Sequence, residues 1–553
     1  MAPLAVKIKH AGKTHDVQLD PDLPAAAFKD AIYQKTGVPP ERMKVMIKGG
    51  MLKDDTDWKK VAPKAGQTFT VIGAAGELPK PPSTPVMFLE DMDDSELAQV
   101  LALPVGLVNL GNTCYMNATI QAMRAIPELQ NALQSSSTSG LSGSLKDLYS
   151  NMSKTTEAVT PAVFLNSLRQ AFPQFAERAR TASNMMPKGM MGAYAQQDAE
   201  ECWTQMTNAL KDVPGLPGPS GSSEGAPKKF VEQYMMGEMR RELKCDEAPE
   251  EPPSITTERV LKVACNISIT TNYMHTGILD ALDEKIEKIS PTLGRDATYT
   301  AHSRLSRLPS YLTVHMVRFA WRADIGKKAK IMRKVKFPTE FDAIDLVTDE
   351  LREKLLPVSR KLKAVDKERA ERRKVRKRTK VAKEKKDGDV EMADASAPAA
   401  GSSSGEDAPP AASDEDKGKE VAGGELLEES VYREKEQKEL EALVDPSLKA
   451  DIGSSVSGLY DLVEYLAIVT HKGAAADAGH YMAFVKKSVF HPISVGGSEG
   501  GAESSGLNED DEDWYKFDDA KVSVFPKEKL ESIAGGGEDS AAYVLLYKAK
   551  PLA

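Results

Sequence analysis

The sequence predicts an α+β protein of at least two domains, and three observations carry that prediction. The 553 residues exceed what one hydrophobic core organises. Residues 4–72 read as strand, strand, helix, strand, strand, and a proline-rich stretch follows. Beyond it a cysteine opens an amphipathic helix, and strand-like runs such as Tyr481–Val485 and Trp514–Phe517 come hundreds of residues later.

In the first segment, Val6 and Ile8 alternate with polar residues, Gly12 turns the chain, and Val17 and Leu19 alternate again. Pro24 opens a helical run through Phe28, Ala31, Ile32 and Lys35, closed by Gly37 and Pro39-Pro40. Strands Lys44–Ile47 and Phe69–Ile72, with a Gly49-Gly50 turn, complete it. Residues 1–75 are the first domain. Residues 76–103, stiffened by Pro79, Pro81, Pro82 and Pro85 and acidic at Glu90–Asp94, read as a linker. Residues 104–549 form the larger domain.

Two insertions interrupt it, at about 352–445 and 488–513. Arg360–Lys386 carries fifteen basic and four acidic residues, and Asp387–Ser430 two basic and thirteen acidic, local charges of +11 and −11. The acidic block, rich in Ala, Pro, Ser and Gly, is expected to be disordered, the basic block to form a solvated helix, and neither to enter a core.

The net charge of −9 argues against general nucleic-acid binding. Cys114, Cys202, Cys245 and Cys265 contain no C-x-x-C pair, so neither disulfides nor a metal site is signalled, and no cofactor is expected. MAPLAVKIKH is not a secretory signal, and no 18-residue uncharged apolar run exists. The expectation is a soluble intracellular protein with no membrane attachment.

Chemistry concentrates at Cys114. Asn112 and Thr113 are N-cap types, and Cys114, Ala118, Gln121, Ala122 and Ala125 recur at helical spacing until Pro127. A thiol at a helix N-terminus is biased towards thiolate by the helix dipole. The plainer alternative is a small buried hydrophobe. Of eight histidines, His480 follows Gly479 and begins the strand-like run Tyr481–Val485, which suits a general base. His471, across the Lys472–Gly479 loop, is its nearest competitor, and His315, inside a strand-like run, reads as structural. Asp518 and Asp519 follow Trp514–Phe517, where a carboxylate can orient an imidazole; turn chemistry is the plainer reading.

Four stretches resemble, in order, the boxes of ubiquitin-specific proteases. They are Gly106–Ala118, Gln196-Gln197-Asp198-Ala199-Glu200-Glu201-Cys202-Trp203, Ala478-Gly479-His480-Tyr481-Met482-Ala483-Phe484-Val485 and Trp514–Asp519. Lys44–Asp54 resembles ubiquitin-like domains, and the two together resemble the proteasome-associated subfamily. The resemblance implies a β-grasp domain followed by a papain-like hydrolase with thumb, palm and fingers. It implies Cys114 as nucleophile, His480 as general base and acid, Asp518 as orienter with Asp519 assisting, and Asn109 as oxyanion donor. Gln196, Asp198 and Asp519 would hold the ubiquitin tail, although Asp198 also reads as a helix cap.

Implied too are thiol-dependent cleavage of isopeptide bonds after ubiquitin's C-terminal glycine and ubiquitin recycling. The 26S proteasome regulatory particle would dock residues 1–75, in cytoplasm and nucleus. Many relatives hold zinc at the fingertips with two C-x-x-C pairs; here Leu243–Thr271 carries only Cys245 and Cys265, so no zinc is expected. The rival readings are a ubiquitin-binding scaffold without catalysis and a nucleic-acid binder acting through Arg360–Lys386. The complete Cys114, His480, Asp518 and Asn109 set weighs against the first.

Overall fold

The computed structural model describes residues 3–74 (except 48, 49, 55 and 57), 90, 92–178, 194–217, 228–323, 326–390, 429–461, 467–475, 478–491 and 511–552. The chain divides into two compact units, Met1–Asp91 and Met92–Ala553.

In the first unit, strand Leu4–His10 pairs antiparallel with Lys13–Leu19 and parallel with Thr68–Ile72. Lys44–Ile47 and Gly50–Met51 complete the five-stranded sheet. Helix Ala25–Thr36 packs Phe28 and Ile32 onto Val6, Ile8, Phe69 and Val71. Gly37, at φ 70°, ends the helix in the left-handed region, and its N–H bonds the Tyr33 carbonyl. This is the β-grasp arrangement. A short helix, Trp58–Val61, sets Trp58 edge-on against Phe28.

The second unit begins inside the stretch read as a linker. Asp94–Leu101 is a helix with a capping box: Asp93 accepts from the Glu96 N–H, and Glu96 returns to the Asp93 N–H. Thr156 donates to Asp94 through its N–H and hydroxyl at 3.0 and 2.7 Å, so the helix belongs to this unit. The correction has a physical cause: the acids that looked like solvated linker are caps.

The helices Cys114–Arg124, Pro127–Ser135, Gly140–Met152, Ala162–Ala171 and Ala199–Ala209 come early. Pro127 starts a new helix rather than only stopping the previous one. The sheet that carries the site runs Leu459–Asp461, Ala541–Ala549, Ala467–Ala475, Ala478–Lys486, Trp514–Asp518 and Lys521–Phe525 through its middle. A separate four-stranded sheet is built from Ser254–Val260, Gly237–Cys245, Asp296–Arg307 and Asp283–Ile289. Cys245 is buried beside Ala248 and Tyr299, whereas Cys265 lies in the main core, its thiol turned to the Met274 carbonyl.

The first insertion needs correction at both ends. Asp349–Val390 is one long helix, and Glu429–Leu443 packs back against it. Leu355, Val358, Leu362 and Val365 recur at heptad-like spacing and are buried, as are Leu440 and Val444. Val358, Leu362, Leu440 and Val444 share a cluster with Leu459 of the sheet. The charges that dominate this stretch hide a narrow apolar seam, so parts of 352–445 are core. Most of the acidic block, 391–428, and most of the second insertion, 492–510, lie outside the described residues.

Candidate active site

Three separate pieces of chain converge. The buried Cys114 is the first residue of its helix, which packs on strand Ala478–Lys486. His480 lies near the start of that strand, and Asp518 ends the neighbouring strand, paired through Ala483 and Phe517. His480 Nε2 and Asp518 Oδ1 are 2.6 Å apart. That contact occupies Nε2 and leaves Nδ1 for the Cys114 side. The pKa of His480 is raised to about 9, first by its hydrogen bond with the Cys114 side chain and also by Asp518, against the cost of burial. Burial acts against the Asp518 carboxylate, yet His480 and Lys516 (3.2 Å) hold its pKa below the usual range.

His471 sits elsewhere. It is 0 % exposed, both ring nitrogens lack a hydrogen-bond partner among the described residues, and its ring lies edge-on between Phe319 and Tyr481. Burial, with Lys330 and His480 adding, pushes its pKa down to about 4. The fold therefore brings His480, not His471, to the carboxylate. His315 is also mostly buried, against Tyr543, and burial lowers its pKa.

The turn before Cys114 is built on Asn109, whose Oδ1 accepts from the N–H groups of Gly111 (2.9 Å) and Thr113 (3.2 Å). Gly111 and Asn112 take positive φ there, 96° and 54°. Asn109 Nδ2 donates to Asp519 Oδ2 at 2.8 Å, and Asn117 Nδ2 donates to Asp519 Oδ1 at 2.9 Å. The Asp519 carbonyl also accepts from the Leu107 N–H. Asp519 thus braces the turn and the helix, while the described hydrogen bond to His480 comes from Asp518. Gly106 is required beside it: an added Cβ would lie 2.3 Å from the Ala520 carbonyl oxygen.

Asp198 caps helix Ala199–Ala209 through the Glu200 N–H, and both its oxygens accept from the Tyr543 hydroxyl, at 2.9 and 2.7 Å. Among the described residues Gln196 Nε2 is buried without a hydrogen-bond partner. Sequence reasoning missed Asn117 and Tyr543. For Asn117 the signal was present: a polar residue three positions after Cys114, on the helix face that also carries Gln121, and only 2 % exposed. Gln121 likewise donates to the Val105 carbonyl.

A helix-terminal thiol, an imidazole and an orienting carboxylate make this a cysteine hydrolase site. Comparison with known proteins agrees and is more specific. Residues 105–547 match the family described as Ubiquitin carboxyl-terminal hydrolase, and residues 5–74 match the Ubiquitin family. The chain is 39 % identical to "Ubiquitin carboxyl-terminal hydrolase 6" of Schizosaccharomyces pombe, over all of both chains. It is 36 % identical to a protein of that name from Arabidopsis thaliana, over 99 % of this chain and 98 % of the other. It is 28 % identical to "Ubiquitin carboxyl-terminal hydrolase 14" of Caenorhabditis elegans, over 99 % and 93 %. The chain belongs to the ubiquitin carboxyl-terminal hydrolase family: it is a cysteine-type ubiquitin hydrolase with an N-terminal ubiquitin-like domain.

Proposed function

We propose that Cys114 attacks the carbonyl of ubiquitin's terminal glycine in an isopeptide bond, and that the enzyme works on conjugates at the proteasome, returning free ubiquitin. The 2.6 Å His480–Asp518 contact beside the Cys114 helix carries this reading. Attack by the thiolate gives a tetrahedral oxyanion. The Cys114 N–H, in the first turn of its helix, stabilises it together with the Asn109 amide, which requires Asn109 Nδ2 to share or release Asp519. His480 protonates the departing lysine amine, leaving a thioester, and then takes a proton from the water that hydrolyses it. Asp518 keeps the ring oriented throughout. Gln196 and Asp198 receive the extended tail, which requires Asp198 to share or release Tyr543.

Docking falls to the first unit. Met46, Met51 and Ile72 are exposed on the sheet face opposite the buried Val45 and Val71, with Lys7, Lys9 and Lys44 around them. An apolar patch ringed by lysines fits a partner surface with apolar anchors and an acidic rim. The proteasome regulatory particle, in cytoplasm and nucleus, is the partner proposed.

The segments Ala320–Lys336 and Lys472–Gly479 flank the route to Cys114, and partner binding shifts them into the competent arrangement. Both are partly strand: Phe319–Arg322 pairs with Lys327–Lys330, and Ala467–Ala475 pairs with Ala478–Lys486. Reaction with a ubiquitin carrying an electrophilic C-terminus, with and without proteasomes, tests the whole reading. Labelling that survives Cys114→Ala, or rates that proteasomes leave unchanged, would sink the corresponding part.

A further inference from the structure

Beneath the strand that leads into His480 lies a buried lysine whose ammonium is held by main-chain oxygens. Lys330 is 6 % exposed, and its Nζ donates to the carbonyls of His471 (2.8 Å) and Asp539 (3.1 Å). No carboxylate lies within ion-pair distance of it among the described contacts; Asp539 and Glu538 act from farther away, and Arg318 repels it. Burying an ammonium is costly unless its donors are satisfied, so these two carbonyls are what keeps it there.

Its position in the fold gives the arrangement a consequence. Lys330 is the last residue of the hairpin Phe319–Arg322/Lys327–Lys330, opposite Phe319, whose ring rests on His471. The hairpin's backbone joins strand Ala467–Ala475 through a single described pair, Ala329 with Ala475. In that strand His471 lies opposite Tyr481, and Lys472 opposite His480. The Gly473 N–H meanwhile bonds the Glu538 carbonyl, next to the second oxygen that Lys330 holds. One ammonium therefore ties three segments together: the hairpin, the strand running into the His480 turn, and the chain at 538–539.

We propose that Lys330 is a positioning residue that clamps this hairpin to the strand preceding His480, so that both segments flanking the cleft move as one body and together set access of the ubiquitin tail. The inference rests on the reading above that these segments govern tail entry. Lys330 touches none of Cys114, His480 and Asp518, so its effect falls on binding and not on the chemical step.

The test is Lys330→Met in the full chain, which keeps the apolar stem but removes the ammonium from the His471 and Asp539 carbonyls. Amide hydrogen exchange should accelerate in 319–330 and 467–475 together and stay unchanged in Trp514–Asp518. KM for a fluorogenic ubiquitin amide should rise about tenfold with kcat within about twofold, since a lower competent fraction weakens apparent affinity. Alkylation of Cys114 by a small electrophile should keep its rate and pH dependence, which a disturbed fold would not preserve. Lys330→Gln, which retains an amide donor, should recover part of the KM and serves where the Met variant fails to fold. Faster exchange in only one segment, or a fall in kcat at constant KM, overturns the clamp. Coupled exchange with unaltered KM overturns the claim on tail access and, with it, the loop reading above, while Cys114 labelling leaves the catalytic assignment standing.

Discussion

The cleft and the helical arm formed by Asp349–Val390 and Glu429–Leu443 use the same interaction for different ends. In the cleft, His480 and Asp518 make a 2.6 Å contact. In the arm, Arg369 and Arg372 reach Glu436 at 2.7 and 2.5 Å, and Arg372 and Arg376 reach Glu429 at 3.2 and 2.5 Å. The difference is the third neighbour. Next to His480 stands a thiol, so the pair's charge alters the proton affinity of a reactive group. Next to Glu436 stands the apolar seam of Leu440, Val444 and Leu362, so the pairs extend a helix–helix contact after the hydrophobic residues run out. An ion pair becomes chemical only where it touches something that reacts.

The sharpest way to break this comparison is to delete the reacting partners. Cys114→Ala should remove ubiquitin-amide hydrolysis to background, and His480→Ala should cost roughly 10⁴-fold or more in kcat/KM. His471→Leu should stay within about tenfold, because an apolar side chain leaves no unpaired nitrogens behind and fills similar space. A collapse in His471→Leu with an active His480→Ala would move the base to the other side of the hairpin.

Asp518→Asn comes next, at about 10²–10⁴-fold in kcat. It also has a pH signature. His480 is held protonated up to about pH 9, first by its hydrogen bond with the Cys114 side chain and also by Asp518, so the imidazolium is lost as pH rises through that value. Removing a carboxylate that favours the charged ring lowers the ring's pKa, so the alkaline limb of kcat/KM should shift to lower pH. An unmoved limb would assign the orienting role to another residue.

Cys114, His480 and Asp518 were legible because each sits in a short stretch whose local pattern explains it: a helix start, a glycine before a strand, a strand end. Asp519 was legible as a site residue but not in its role, since its partners Asn109 and Asn117 lie more than 400 positions away and meet it only when the sheet closes on the helix. The arm failed for a different reason. Its apolar positions, Leu351, Leu355, Val358, Leu362 and Val365, keep a regular period, but the surrounding lysines, arginines and glutamates lower the local hydropathy until the seam disappears from an average. The helix Asp94–Leu101 carried its own Asp-x-x-Glu start signal, which the acidic context disguised.

In the arm, Leu440→Ala opens a cavity in a fully buried position and should cost the hairpin about 2–5 kcal/mol. Limited proteolysis within 429–443 should quicken while hydrolysis of the ubiquitin amide holds within about twofold. A parallel loss of activity would mean that the arm supports the cleft, and the contrast between the two regions would dissolve.

The smallest effect expected is from Glu436→Gln, about 1–3 kcal/mol, because it leaves the Arg369 and Arg372 guanidinium groups half-buried with a weaker acceptor. Its companion Glu429 gives the sign of the pH response. Burial opposes its charge, but Arg372, Arg376 and Arg433 hold its pKa below the usual carboxylate value. A carboxylate with a lowered folded pKa contributes stability above its unfolded pKa, about 4.3, and loses it as pH falls through the folded value. Protection from hydrogen exchange in 429–443, relative to the intrinsic rate, should therefore hold at neutral pH and fall as acidification passes the lowered Glu429 value. In Glu429→Gln that acid dependence should flatten, because the titrating group is gone. Were the acid response of the variant as steep as the wild type's, the Arg–Glu ladder would not be what closes the arm, and the apolar seam alone would account for it.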